Sequence, residues 1–309
     1  MSFERRPVRP LRSVQFVPGD NAEAVEASLR QGSDGVILDL EEPRTPFTEA
    51  HRVAARKIVG DFLADLPAAG RPQYFSRVQD TYSGQMLKDL EAIVGPNLTG
   101  VVVPKILQPA DVYAVDVILA CLEADRGLEP GSISIYPILE TAQSLRCSYE
   151  IAMASPRVAY IGGAVSRFGD IVHSIGYRWT PEGDESLYLR SKVLIDARAA
   201  GIRYPVSGMW AGNGEDHDGF RAFAEQLRDL GYYGMFISRA DHIAICNEVF
   251  SPSAEELAQW RSMVKTVDEA GDSDEPIIFA EPGEEMHVLH RAHVASARQG
   301  LEWAADLGL

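Results

Sequence analysis

Over about 240 residues, short apolar runs rich in β-branched and aromatic residues alternate with longer segments whose apolar positions recur at helical spacing. The runs are Val14 to Val17, Gly35 to Leu40, Gln73 to Val78, Gly100 to Lys105, Ser132 to Glu140, Val158 to Gly162, Tyr204 to Met209 and Tyr232 to Ile237. They are nearly continuous in apolar character, as strands covered on both faces of a parallel sheet must be. The segments between them, Glu49 to Ala64, Asp111 to Asp125, Ser186 to Ala200 and Asp218 to Leu230 among them, have the length and period of amphipathic helices. Eight such pairs in succession predict an α/β fold, a closed (β/α)8 TIM barrel. An open doubly wound sheet is the rival architecture.

Beyond the eighth run, Phe250-Ser251-Pro252-Ser253 followed by Glu255-Glu256 has the form of an N-cap with early acids, predicting a helix to about Glu269. Gly271 to Pro276 reads as a polar turn, Ile277 to Ala280 as a short extended piece, and Glu284 to Leu307 as a terminal helix. This tail is too short to be a second domain. The expected division is a catalytic barrel over residues 1–270 and a C-terminal helical appendage over 271–309, suited to capping a barrel mouth, its own or a neighbouring subunit's.

Composition narrows the class of partner. With 46% hydrophobic and 24% charged residues the chain folds around a sizeable core. Its 45 acidic against 29 basic residues give a net charge of −16, which repels nucleic acid and anionic membranes at long range. No run approaches the ~20 apolar residues of a bilayer span, and the charged start Met1 to Pro7 has no apolar core behind it, unlike a secretory signal. Cys121, Cys147 and Cys246 lie far apart and are odd in number, so a reduced, cytoplasmic setting is expected.

A TIM barrel builds its active site at the carboxyl ends of its strands, and polar residues concentrate there. The first run ends in Pro18-Gly19, the second in Asp39-Leu40-Glu41-Glu42, the third in Arg77, the fourth in Pro104-Lys105 and the fifth in Glu140-Thr141. The sixth opens into Gly162-Gly163, with Asp170 just beyond. Glu140 and Asp170 are candidate metal ligands, because two carboxylates balance a divalent charge and leave positions for water and substrate oxygens, as Mg2+ prefers. The plainer assignment is that Glu140 caps a helix beginning near Thr141 and Asp170 caps a loop. Arg77 could grip a carboxylate or carbonyl in two-point fashion, neutralise the Asp39, Glu41 and Glu42 cluster, or both. Glu42 is the candidate acid/base beside a bound cation, and Lys105 suits either a substrate anion or a salt bridge.

Other features point nowhere specific. His287, His290 and His293 recur at every third residue, the mark of a solvated helix face more than of a ligand trio. His173, His217 and His242 are isolated, and the loop glycines Gly162-Gly163 and Gly212-Asn213-Gly214 lack the Lys and Ser/Thr of a P-loop. No Ser-centred G-x-S-x-G elbow is present.

From Arg12 to Ser253 the chain resembles the citrate lyase β-subunit-like family, which includes malyl-CoA and citramalyl-CoA lyases, in the phosphoenolpyruvate/pyruvate barrel superfamily. Arg12-Ser13-Val14-Gln15-Phe16-Val17-Pro18-Gly19 is similar to the family's first strand, and Asp34 to Glu42 to its acidic second-strand signature. Phe75-Ser76-Arg77-Val78 resembles the strand with the substrate-binding arginine, and Val103-Pro104-Lys105 the fourth strand. Ile138-Leu139-Glu140-Thr141 resembles the strand with the first metal ligand, and Asp170 to Gly176 the segment opening with the second.

Several positions depart from the pattern. The second-strand signature ends Glu41-Glu42 where the family has Glu-Asp, and the stretch from Gly163 to Asp170 is long enough that a strict register puts Ser166 at the ligand position. Glu26-Ala27-Ser28 stands where the family carries a lysine, and Ile237-Ser238-Arg239 replaces Ile-His-Pro. These two changes count against coenzyme A as acyl carrier. The aspartate that some relatives supply from a neighbouring tail has Glu285 as its nearest acid here.

The resemblance implies a Mg2+-dependent carbon-carbon lyase, with Mn2+ as the alternative ion. It would cleave or form a 3-hydroxy acid or its thioester through an enolate, giving a 2-oxo acid such as oxaloacetate or glyoxylate and an acyl fragment. Glu140 and Asp170 would hold the metal. Arg77, Glu42 and Glu41 would be catalytic, and Arg77, Asp39, Pro18, Gly19 and Lys105 would bind substrate. Coenzyme A thioesters are candidate substrates, and a homo-oligomer, trimer or hexamer, is the expected assembly. The other readings are a metal-dependent aldolase acting on a free 4-hydroxy-2-oxo acid and a noncatalytic barrel that binds an organic acid.

Overall fold

The computed structural model describes residues 4–67, 70–271, 277–279 and 287–309. In chain order the first compact unit, Met1–Phe250, runs β1 (Ser13–Pro18), α1 (Ala22–Ala27), β2 (Gly35–Asp39), α2 (Glu49–Ala64), β3 (Gln73–Arg77), α3 (Met86–Ile93), β4 (Gly100–Val103) and α4 (Pro109–Asp125). It continues with β5 (Ser134–Leu139), α5 (Ala142–Arg146), α6 (Ser148–Met153), β6 (Gly162–Gly163), α7 (Asp170–Ile175), α8 (Asp184–Ala199), β7 (Val206–Met209), α9 (His217–Leu230), β8 (Gly234–Ile237) and α10 (Ile243–Val249).

All the strand pairings of this unit are parallel, in the order β6-β5-β4-β3-β2-β1-β8-β7. This is the (β/α)8 barrel that the run pattern predicts. Between β6 and β7 no ladder is formed, yet the two approach closely: a Cβ on Gly208 would lie 2.8 Å from the Gly163 carbonyl oxygen and 2.9 Å from that of Val165. Glycine at 208 is therefore what lets the seam shut. β6 itself is short and later than the predicted run, because Val158 makes only a single bridge to Ile135 before the chain straightens at Gly162.

Helices α2 and α9 form for local reasons and are each held by one buried face. In α2, Thr48 caps the first turn by accepting from the His51 amide, and Ala55, Val59, Phe62 and Leu63 form the inward stripe. In α9, Asp216 caps the start, Phe220, Phe223, Ala224 and Leu227 face the sheet, and Gly231 ends the helix in the left-handed conformation. Fully burying one such Leu or Phe side chain is worth about 2 kcal/mol.

Inside the sheet a separate core combines aliphatic residues such as Leu11, Val14, Ile37 and Val206 with a set of packed rings. Tyr160 packs on Tyr136 with centroids 5.4 Å apart, Tyr136 on Phe236 at 5.5 Å, and Phe236 on Phe16 at 5.4 Å. Phe75 joins Tyr136 and Tyr160 edge-on at 5.9 and 5.7 Å. These rings form one continuous aromatic column inside the sheet.

The second unit, Ser251–Leu309, starts twenty residues before the boundary that the tail pattern suggested. The reason is packing. Helix α11 (Ala254–Ala270) lies on α12 (Arg291–Leu307), with the Trp260 and Trp303 rings 6.5 Å apart. A Cβ on Gly300 would reach within 2.6 Å of the Trp260 ring, so glycine permits this approach. The strands β9 (Ile278–Phe279) and β10 (His287–Val288) pair antiparallel before α12, so the terminal helix begins at Arg291 and not at Glu284. His287 thus belongs to a strand and does not share a helix with His293. Glu285 lies outside the described residues, as do most of the Gly271 to Pro276 turn and Ala280. Among the described residues no helix is long and apolar enough to cross a membrane.

Candidate active site

The carboxyl ends of β2 to β5 and the loop after β6 converge on a cavity of about 290 Å³. Its polar wall carries Glu41, Glu42, Arg77, Lys105, Glu140 and Asp170, and Ile138, Met209 and Phe236 supply apolar floor. Charged residues from the ends of the second to fifth apolar runs, with Asp170 beyond the sixth, therefore meet in one place.

Glu140 follows the last residue of β5 and does not cap the next helix. That task falls to Thr141, whose hydroxyl accepts from the Ser144 amide at 3.0 Å. Glu140 is left to the cavity, where its Oε1 accepts from the backbone N–H of Lys105 at 2.7 Å. Asp170 opens α7, whose N-cap is Gly169 without a side-chain cap, so this acid too is spared a capping role. Ser166, the other claimant for the ligand position, lines the same cavity and accepts from the Gly169 amide at 2.9 Å.

Arg77 is the best-anchored group of the site. It stands directly across the β2–β3 ladder from Asp39, and its Nε and Nη2 donate to the two Asp39 oxygens at 2.9 and 2.7 Å. Its Nη1 lies 2.9 Å from Glu41 Oε2, and the Phe16 ring lies 5.0 Å from its Cζ. Burial favours the neutral form, but Asp39, Glu41 and Glu140 outweigh it and raise the guanidinium's pKa. Three of the five donors of the fork are used by these carboxylates, leaving two for a ligand.

Lys105 extends its Nζ to 2.9 Å from Glu41 Oε1 and 3.9 Å from Asp170 Oδ2. Burial pulls its pKa down, and Glu41, Asp170 and Glu140 together carry it above the ordinary lysine value. Its backbone is left-handed, φ 52°, which costs a non-glycine residue roughly 1 kcal/mol. In return its amide faces Glu140.

Four carboxylates against two cations leave the wall with an excess of negative charge. Burial first, and then Glu41 and Asp170, push the Glu140 carboxyl up to about 7, against the Lys105 amide and Arg77. A divalent cation between Glu140 and Asp170 would relieve that excess, and a set of hard oxygen donors with open room fits Mg2+. The residues present therefore suit the ion.

Not every expected site residue reaches the wall. Asp39, Pro18 and Gly19 are not among the residues lining the cavity. Asp39 stands behind Arg77 and orients it. Gly19 donates its amide to the Asp39 carbonyl at 3.0 Å and sits so close to that oxygen, 2.5 Å from a notional Cβ, that a side chain would collide. Glu42 lines the cavity in an exposed position. His217 and His242 are not isolated: with Asp241 they offer ligand atoms within 4.8 Å of one another. Arg239 already holds Asp241 at 2.6 Å, and His242 Nε2 lies 2.9 Å from the Gly214 carbonyl oxygen.

Sequence reasoning missed the supports beneath the acidic turn. Gln79 donates its side-chain amide to the carbonyls of Leu40 and Glu41, its own backbone N–H is held by Asp89 at 2.8 Å, and Arg56 grips Asp89 at 2.7 Å. The pair Arg56–Asp89 spans two helices, a contact with no local signature.

The model for HpcH/HpaI aldolase/citrate lyase matches residues 12–240. The chain belongs to the HpcH/HpaI aldolase/citrate lyase family. It is 34% identical over 261 residues to the citrate lyase subunit beta-like protein of Deinococcus radiodurans, covering 84% of this chain and 86% of that protein. It is 28% identical over 294 residues to the (3S)-malyl-CoA thioesterase of Cereibacter sphaeroides, covering 94% of each. Among solved structures it is similar to Mycobacterium tuberculosis CitE in complex with magnesium, acetoacetate and coenzyme A, with a TM-score of 0.69 and 23% identity over 96% of this chain and 99% of that one. As a citrate lyase-family member it is a lyase.

Proposed function

We propose that this protein is a Mg2+-dependent carbon-carbon lyase acting on a 3-hydroxy acid or its thioester, with a 2-oxo acid such as oxaloacetate or glyoxylate as one product. The observation that carries this reading is that Glu140 and Asp170, 30 positions apart in sequence, line the same cavity as Arg77 and Lys105. The match to relatives named for citrate lyase and malyl-CoA chemistry supports it.

Cleavage of such a bond turns a hydroxyl into a carbonyl while negative charge moves onto the departing fragment. Glu140 and Asp170 would hold the cation, which supplies Lewis-acid polarisation of the carbonyl and carboxylate of the 2-oxo acid. Arg77 lines the same space with two N–H bonds unused, and because Asp39 and Glu41 fix the fork, little reorganisation is needed as charge develops. Lys105 adds a positive charge at the Asp170 side. Glu42, exposed in the cavity lining, is the carboxylate placed to move a proton; Glu41 is held by Arg77 and Lys105 and serves to position them.

The decisive experiment is Glu140→Gln with its folding checked by circular dichroism. The reading expects loss of both Mg2+ binding and oxaloacetate or glyoxylate binding. Retention of oxo-acid binding would instead support a noncatalytic acid-binding barrel. Stimulation of turnover by acetyl-CoA separates the thioester from the free-acid substrate.

A further inference from the structure

The amino-terminal end of the barrel, opposite the acidic mouth, holds a cavity of about 440 Å³. Arg6, Arg9 and Arg71 line it together with Thr99, Gln73 and Tyr160, and no carboxylate is among its described lining residues. In a chain with 45 acidic and 29 basic residues, a hollow whose charged lining residues are all arginines is the reverse of what overall composition favours. Arg6 is matched from outside by Glu129 at 2.5 Å. Arg9 and Arg71 have no acidic partner among the described residues. Arg71 instead donates from Nε to the Pro67 carbonyl at 2.7 Å and reaches Asn97 at 3.4 Å, contacts that fix the guanidinium without neutralising it.

The hollow is also preformed. Arg5 hooks the arm that carries Arg6 and Arg9 onto the barrel, donating to the carbonyls of Ala152, Val158 and Ala200 at 2.7, 2.7 and 2.9 Å. From inside, the Tyr160 hydroxyl donates to the Arg9 carbonyl at 2.8 Å. Cations held around a concavity raise its potential, and their planar forks suit a ligand with several oxygens. Arg71 and the backbone of the arm are held in advance, so of the two unmatched guanidinium groups only that of Arg9 has to be ordered on binding.

We propose that this cavity binds a small multivalent oxyanion, a phosphate or a di- or tricarboxylate, between Arg9 and Arg71. The site is separate from the metal cavity, since the aromatic column lies between them.

The test is calorimetric titration of the metal-free, full-length protein at low ionic strength, with inorganic phosphate in one arm and succinate in the other. Saturable binding of either anion is expected, weakened at least tenfold by Arg9→Gln and by Arg71→Gln, and weakened by added NaCl. The tighter of the two anions identifies the source. Arg9→Gln is the safer variant, because only its main chain is used in the fold contact with Tyr160. Absence of saturable heat with both anions overturns the proposal. So does binding that survives both Arg9→Gln and Arg71→Gln, which would place the anion outside this cavity.

Discussion

The main chain of Lys105 grips Glu140: its amide donates to Oε1 at 2.7 Å from a left-handed backbone, φ 52°. Side chain and backbone of one residue thus serve two neighbours, since the Nζ answers Glu41 and Asp170. The two roles separate by substitution. Lys105→Gly keeps the left-handed turn at lower cost and removes the ammonium, whereas Lys105→Ala removes the ammonium and retains the strain. Thermal denaturation should show the glycine variant more stable than the alanine variant by about 1 kcal/mol, while both raise KM for the oxo acid alike. Equal stability would mean that the turn relaxes when the side chain goes.

Metal affinity should follow the Glu140 proton. With its carboxyl pushed up to about 7, chiefly by burial, Mg2+ must displace a proton below that pH. Apparent affinity is expected to fall roughly tenfold per pH unit below 7 and to level off above it. The sign for folding is the opposite. A carboxyl raised from 4.5 to about 7 favours the metal-free fold at acid pH, and that contribution drains away as pH rises from 4.5 through 7. Calorimetric Mg2+ titrations from pH 5.5 to 8, paired with metal-free melts, check both limbs; a flat affinity profile would refute the linkage.

Removing one member of the Arg77–Asp39 pair leaves the other buried and unmatched. Asp39→Ala should destabilise the fold by about 3 kcal/mol in urea unfolding. Arg77→Lys keeps the charge but loses the fork, so kcat should fall by roughly 100-fold with a smaller change in stability. A loss confined to KM would show that Arg77 binds the ground state and the transition state equally.

Gly163 turns the chain into the cavity at φ 111°, and a Cβ there would lie 2.4 Å from the Leu139 carbonyl oxygen. Leu139 immediately precedes Glu140, so the clash would be felt at the metal site. Gly163→Ala is expected to cost about 2 kcal/mol and to weaken Mg2+ binding, whereas Gly176→Ala, at a left-handed position with nothing within 4 Å, should affect stability alone.

Much of this arrangement can be read along the chain because a barrel converts strand ends into neighbours. Glu140 and Arg77 stand out as charges terminating apolar runs, and Asp170 follows from the register of the segment after it. What is not legible is direction across the sheet. Asp39 closes a run just as Arg77 does, but the β2–β3 ladder sets them opposite each other, and the acid is absorbed into holding the arginine. The supports Gln79, Asp89 and Arg56 depend on contacts between separate elements that no spacing encodes. The start of the last helix eluded the pattern for another reason: histidines at every third position suit a helix, yet His287 pairs with Phe279 in a strand.

The rings of Tyr160, Tyr136 and Phe236 make the interior a bulkhead and not a conduit. The two cavities share no lining residue, and these packed rings stand between Tyr160 in the lining of one and Phe236 in the lining of the other. Two solutes of like charge could reside in the same barrel without competing for a single atom.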